Sequence, residues 1–106
     1  MRLTTAQREA IVDAFRKTFY TGARLFLFGS RTDDSLRGGD IDLCVETSAE
    51  KTWDALVPLR QSFQVELFKR LGDRRIDIVL QRQGDAIRPI DREIGQKGIE
   101  LCTLPF

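Results

Sequence analysis

Apolar positions first recur at helical spacing. Ile11, Val12, Phe15 and Phe19, with Ala6 and Ala10, fall on one face of a helix that Thr4 or Thr5 can cap and that runs to about Phe19. Gly22 ends it. The pattern then shortens. Leu25-Phe26-Leu27-Phe28 is a compact apolar run stopped by Gly29-Ser30, which predicts a strand. Residues 31–39 are polar, close on Gly38-Gly39, and read as a loop with room for one helical turn. From Asp40 to Glu46 the period becomes two. Ile41, Leu43 and Val45 point one way, and Asp40, Asp42 and Cys44 the other, as in a half-buried strand.

Helical spacing returns through Trp53, Leu56, Val57, Arg60, Phe63, Leu67 and Leu71. Ser48 can cap this helix, Pro58 predicts a break or kink, and Gly72-Asp73 closes it. Arg75 to Gln81 alternates again, with Ile76, Ile78 and Leu80 opposite Asp77 and Val79. Residues 82–85 turn the chain. A last amphipathic helix is expected over about Ile87 to Lys97, starting near Pro89 and capped by Gly98. A short apolar tail, Ile99 to Leu104, receives no element. The order is α-β-(loop)-β-α-β-α, with no repeat, linker or low-complexity stretch, and residues 1–106 read as one domain.

Composition narrows the chemistry. Lys and Arg number 17 and Asp and Glu 16, so no global field gathers nucleic acid or acidic lipid. Arg outnumbers Lys 13 to 4, a bias that GC-rich codon usage also produces. Histidine is absent, which removes His-based triads, His general bases and His-ligated zinc. Cys44 and Cys102 match no metal spacing, and Cys44 reads as a buried free thiol. A reducing cytoplasm is the expected setting. The first residues lead into a helical pattern rather than a signal peptide, and no apolar run approaches a membrane span.

The polar strand faces carry the candidate chemistry. Asp40, Asp42 and Asp77 fall opposite the apolar faces of their strands. Like charges gathered on one surface oppose folding unless a cation offsets them. With neither His nor paired Cys, the donors are hard oxygens that suit Mg²⁺ or Mn²⁺. Asp40 and Asp42, two apart on a strand, share a face and can bridge two ions. Gly29 permits a sharp turn, Ser30 offers a hydroxyl and backbone N–H groups to phosphate oxygens, and Arg31 can add a charge. Each part has a plain structural alternative. Gly29-Ser30 could be an ordinary turn, and Asp40 and Asp42 solvated residues. Asp77 could pair with Arg74 or Arg75. Trp53 reads as a packing residue on a helix face, or else as an anchor in a partner interface. The phenylalanines read mostly as core.

Phe28-Gly29-Ser30, nine residues, then Asp40-Ile41-Asp42-Leu43 resembles the signature of the polymerase-beta-like nucleotidyltransferase superfamily. The small size, the opening helix, the Gly-Ser-Arg form and a third carboxylate in Ile76-Asp77-Ile78-Val79 are similar to its minimal nucleotidyltransferase (MNT) branch. The resemblance covers nearly the whole chain. It departs in a spacer of nine residues rather than ten, and in Gly39 where Ser or Thr often precedes the first Asp. It implies an α+β fold, a small mixed β-sheet with helices packed mainly on one face. It implies that Gly29, Ser30 and Arg31 hold the nucleotide, and that Asp40, Asp42 and Asp77 hold Mg²⁺ or Mn²⁺. Asp77 would also be a general base toward the acceptor hydroxyl. It further implies ATP as substrate, AMP as the transferred group, and a helical HEPN toxin as acceptor, through a tyrosine, and partner. The chain is too short to build its own acceptor site. A second function fits the same resemblance: a non-catalytic antitoxin that neutralises a HEPN partner by complex formation. A membrane is not expected, nor direct nucleic-acid binding; an oligomer is compatible with the sequence.

Overall fold

The computed structural model describes residues 3–28 and 41–104. Seven elements follow in the order α1 (Thr5–Thr18), β1 (Arg24–Phe28), β2 (Ile41–Thr47), α2 (Trp53–Leu71), β3 (Ile76–Arg82), α3 (Pro89–Lys97) and β4 (Ile99–Thr103). The strands form one mixed sheet in the order β3-β2-β1-β4. β2 and β3 are parallel, joined by α2, while β1 runs antiparallel to both β2 and β4. This is the expected α+β fold with a small mixed sheet. The tail left unassigned by the sequence is β4, an edge strand. Its burial alternates poorly, since Ile99 and Glu100 are exposed and Leu101 buried, so its period-two signal is weak.

Each helix begins where its backbone donors find acceptors. At α1, the Gln7 backbone N–H donates to Thr4 Oγ1 (3.0 Å) and the Thr4 N–H donates to Gln7 Oε1 (3.0 Å), a reciprocal capping box. At α2 the cap is Thr52 rather than Ser48: Thr52 Oγ1 accepts from the Ala55 N–H at 3.2 Å. Of the break or kink expected near Pro58, the break does not occur, and α2 runs as one helix from Trp53 to Leu71 with Pro58 inside it. Packing of its inner face outweighs the one backbone bond that Pro58 cannot donate. α2 closes at Gly72, whose φ of 78° is a left-handed value that favours glycine. At α3, Pro89 occupies the first turn and Asp91 accepts from the Arg88 backbone N–H at 2.8 Å.

The sheet separates two apolar clusters. On one face, Leu25, Leu27, Leu43, Val45, Ile76 and Ile78 pack beneath α1 and α2. Phe15, Phe19 and Phe63 meet there, with ring centroids 5.4 to 6.2 Å apart. On the other face, the shorter α3 places Ile94 and Ile90 against Phe26, Phe28, Cys44 and Val79. Helices therefore cover one face fully and only the middle of the other. Cys44 is the expected buried free thiol. Burial, reinforced by Asp91 and Glu46, pushes its ionisation up to about 12, so it holds its proton.

β3 is a sheet edge, yet its outward carbonyls are occupied. Gln64 Nε2 donates to the Ile76 carbonyl (3.0 Å), Arg60 Nε to that of Ile78 (3.0 Å), and Arg88 to that of Leu80 (2.8 Å). The first two side chains fasten α2 along the length of β3. A separate clasp ties α2 to α1. Glu66 accepts from Arg70 at 2.6 Å and lies 3.3 Å from Lys17 and 3.4 Å from Lys69. The Arg70 hydrogen bond, assisted by both lysines, holds the Glu66 carboxyl down at about 2 against its ordinary 4.5.

A depressed carboxyl contributes stability that is complete above its unfolded value and lost as pH falls through its folded value. Glu66 should therefore support the fold above pH 4.5 and lose that support progressively toward pH 2. Glu66→Gln should melt below wild type at neutral pH, and the gap should close as pH falls through this window. Melting temperatures of both proteins as a function of pH measure it.

Candidate functional site

β1 ends where β2 and β3 begin. Phe28, the last residue of β1, is the register partner of Asp42, the second residue of β2. Asp42 is in turn the register partner of Asp77, the second residue of β3. Because β2 and β3 are parallel and in register, both carboxylates project from the same face. Adjacent strands lie about 4.8 Å apart, which is the scale of separation of the two backbones. Asp42 is half-buried and Asp77 exposed. The same face is apolar one row further on, at Cys44 and Val79, where α3 covers it. The aspartates thus stand just outside the edge of a helix-covered patch, at the open end of the sheet.

This placement follows from the sequence. Ile41-Asp42-Leu43 and Ile76-Asp77-Ile78 repeat one pattern, and burial of the isoleucines and leucine in the main core turns the intervening aspartates outward. One extra residue in either strand would send one carboxylate into the core. The backbone supports the register, since the Ile41 N–H donates to the Arg75 carbonyl at 3.0 Å. Of the residues singled out from the sequence, the structure brings Asp42 and Asp77 together. Gly29, Ser30, Arg31 and Asp40 lie outside the described residues.

The donor set fits a hard divalent cation as far as it is described. Asp42 and Asp77 offer hard carboxylate oxygens, and the Cys44 thiol one row further on is buried and holds its proton. Two are fewer than a full site requires, and among the described residues no group of three or more His, Cys, Asp or Glu side chains could hold a metal ion. A cavity of about 800 Å³ lies elsewhere, lined by Glu46, Trp53, Gln81, Asp85, Ile87 and Arg88 among others. Gln81 is four residues along β3 from Asp77, or about 13 Å at the rise of a strand. That cavity is a different feature from the carboxylate pair. Among the described residues, no helix is long and apolar enough to cross a membrane.

Several residues that shape this region escape sequence reading. Nothing in the sequence marks Arg60, Gln64 or Arg88 for this role, and all three donate to β3. Only the strand order, with β3 outermost, gives them that role. Trp53 was open to two readings, and it is 39% exposed, with its indole N–H donating to Asp85 Oδ2 at 2.8 Å. It packs only in part.

Comparison with known proteins agrees with this arrangement. The family model described as "Nucleotidyltransferase domain" matches residues 8–98. Among curated proteins, no sequence match is found. Among solved structures, the chain is similar to a toxin–antitoxin complex with AMP-PNP, at 22% identity and a TM-score of 0.63, covering 91% of this chain and 73% of that one. It is similar to an MntA–HepT toxin–antitoxin structure at 20% identity and a TM-score of 0.60, covering 94% and 73%. A third similarity is to a tri-AMPylated Shewanella oneidensis HEPN toxin in complex with MNT antitoxin, at 22% identity and a TM-score of 0.59, covering 92% and 70%. At these identities the likeness shows the fold.

Like charges directly opposite one another on a sheet oppose folding, by an amount on the order of 0.2–1 kcal/mol. Asp77→Asn keeps the size and removes one of them. In chelator it should melt at or slightly above wild type. A clear drop in melting temperature in this assay would mean that Asp77 is a structural ion-pair partner.

Proposed function

This chain belongs to the nucleotidyltransferase domain family, and we propose that it transfers AMP from ATP to a hydroxyl, a tyrosine's by resemblance, of a helical HEPN partner protein, acting as the antitoxin of the pair. The observation that carries the reading is the register of Asp42 against Asp77 beside the end of β1. It puts two carboxylates beside Phe28, the residue that precedes Gly29-Ser30-Arg31 in the sequence, and Asp40 precedes Asp42 by two residues. The AMP-PNP and AMPylated-toxin complexes among the similar structures support the choice of nucleotide and partner.

In this reading Gly29 and Ser30 receive the nucleotide phosphates on backbone N–H groups and the serine hydroxyl, and Arg31 offsets their charge. Asp40, Asp42 and Asp77 hold Mg²⁺ or Mn²⁺, which when bound neutralises phosphate charge and favours ionisation of the acceptor hydroxyl. Asp77, exposed at the open end of the face, takes the hydroxyl proton. The acceptor oxygen then forms a bond to the α-phosphorus. The bond from that phosphorus to the bridging oxygen breaks, and pyrophosphate leaves with the electron pair. The covered row behind the aspartates, Cys44 and Val79 beneath α3, gives the site a rigid floor. The site can operate in the cytoplasm, where ATP and Mg²⁺ are supplied.

Intact mass of the partner, incubated with this protein, ATP and Mg²⁺, tests the reading. Wild type should add one or more AMP groups. Asp42→Asn and Asp77→Asn should slow the addition by about 10²–10⁴-fold, the usual contribution of a positioned acid or base. Asp77→Asn should still bind nucleotide by calorimetry. A partner that is neutralised and complexed without any change in mass, and equally well by Asp42→Asn, identifies the protein as a non-catalytic binder.

A further inference from the structure

α2 is apolar on the side that packs against the body and also on the side that does not. Its outward face carries Trp53, Val57, Val65 and Phe68, which are 39%, 46%, 52% and 59% exposed. Successive residues turn by about 100°, so these four fall within an arc of roughly 120°. The stripe is about 22 Å long at the helical rise. The stripe includes one exposed charge, Asp54 at its Trp53 end; from Ala55 to Phe68 the helix holds two more, Arg60 and Glu66. Both turn their charges to the body, Arg60 to the Ile78 carbonyl and Glu66 to the clasp with Lys17 and Arg70. The rest of the outward surface over these turns is alanine, proline, serine, glutamine and apolar side chains. In a chain whose residues are 31% charged, an exposed helix face that carries no outward charge beyond Asp54 at one end is depleted in charge. Such depletion, with aromatic enrichment, distinguishes interface cores from ordinary surface.

The stripe has a direction. Gln64 donates to the carbonyl of Ile76, the residue before Asp77. Phe68 is one turn further, so its end of the stripe lies at the Asp77 end of β3, and the Trp53 end lies by Asp85 beside the cavity. Strand addition along this side is disfavoured, because the outward carbonyls of Ile76, Ile78 and Leu80 are already occupied. What remains is side-chain packing, and the spacing of Trp53, Val57 and Phe68 matches the ridges that a second helix can fill. The exposed apolar area is on the order of 400 Å², within the range that marks functional patches on monomers. It is small for an obligate homodimer, whose interfaces bury about 2,000–5,000 Å², and sufficient as the centre of a standard complex of about 800 Å² per partner.

We infer that the outward face of α2, Trp53-Val57-Val65-Phe68, docks an amphipathic helix of the acceptor protein and so delivers its hydroxyl to Asp77. This inference rests on the nucleotidyl-transfer reading above. In it, the acceptor is held from the side, by a helix fastened to the strand that carries the base. Phe68 and Val57 are docking residues and touch neither nucleotide nor the reacting atoms.

The test uses this protein and the helical HEPN protein proposed as its acceptor, with Phe68→Asp and Val57→Asp as separate variants. Both sites are exposed, and circular dichroism and melting confirm that each variant folds. Calorimetry should show affinity for the helical protein weakened at least tenfold in each, with ATP affinity unchanged. Transfer should show a raised KM for the acceptor and a kcat close to wild type. Unchanged partner affinity and KM in both variants would overturn the docking surface, whether or not AMP is transferred. Loss of binding in Phe68→Asp, with a wild-type complex that carries no AMP, keeps the surface and removes the transfer reading. If instead wild type alone sediments as a dimer, the variants as monomers, and partner affinity does not change, the occupant is a second copy and the inference fails.

Discussion

The parallel pairing of β2 with β3 is the constraint on which the rest of this molecule depends. Seven register pairs run without a bulge from Ile41–Ile76 to Thr47–Arg82. That register decides which side chains face α1 and α2 and which face outward. It also places Asp42 beside Asp77. A parallel pair needs a long crossover, and α2 is that crossover. Helix, core and carboxylates are therefore parts of one unit. Loosening α2 would disturb the pairing that aligns the aspartates, since Gln64 ties α2 to the Ile76 carbonyl, one residue before Asp77.

Much of this was legible in the sequence because it rests on period. Ile41-Asp42-Leu43 and Ile76-Asp77-Ile78 alternate cleanly, so both strands and the outward side of both aspartates follow from position alone. The Gly-Ser pair, its spacing to Asp40 and the length of the chain point to the family by resemblance. What period cannot convey is the partner of each strand. β4 was left unassigned because its pattern is short, with two exposed residues at its start, and it is a strand only because β1 is beside it. Ser48 and Thr52 are both good caps, and the choice between them depends on where the chain leaves β2. Pro58 predicts a break that packing overrides. Four of the six candidate site residues, Gly29, Ser30, Arg31 and Asp40, lie outside the described residues, so their reading rests on sequence alone.

Polar groups on α2 divide their work. Glu66 binds sideways, gathering Lys17, Lys69 and Arg70. Arg60 and Gln64 bind downward to the backbone of β3. The helix is thereby held by specific partners as well as by Leu56, Phe63 and Leu67 in the core. Apolar packing supplies most of the driving force but tolerates sliding. Hydrogen bonds to fixed carbonyls do not, and they set the rotation of α2 that turns Phe63 inward and Phe68 outward.

The occupied carbonyls of β3 have a consequence for the protein before it is fully folded. An edge strand with free backbone groups is a template for another chain, and this one is rich in Ile, Val and Leu. In the folded state Gln64, Arg60 and Arg88 stand in that template's place. While α2 and α3 are undocked, nothing on those helices guards it. Any opening that lifts α2 or α3 from β3 would return those carbonyls to solvent and to the strands of neighbouring copies.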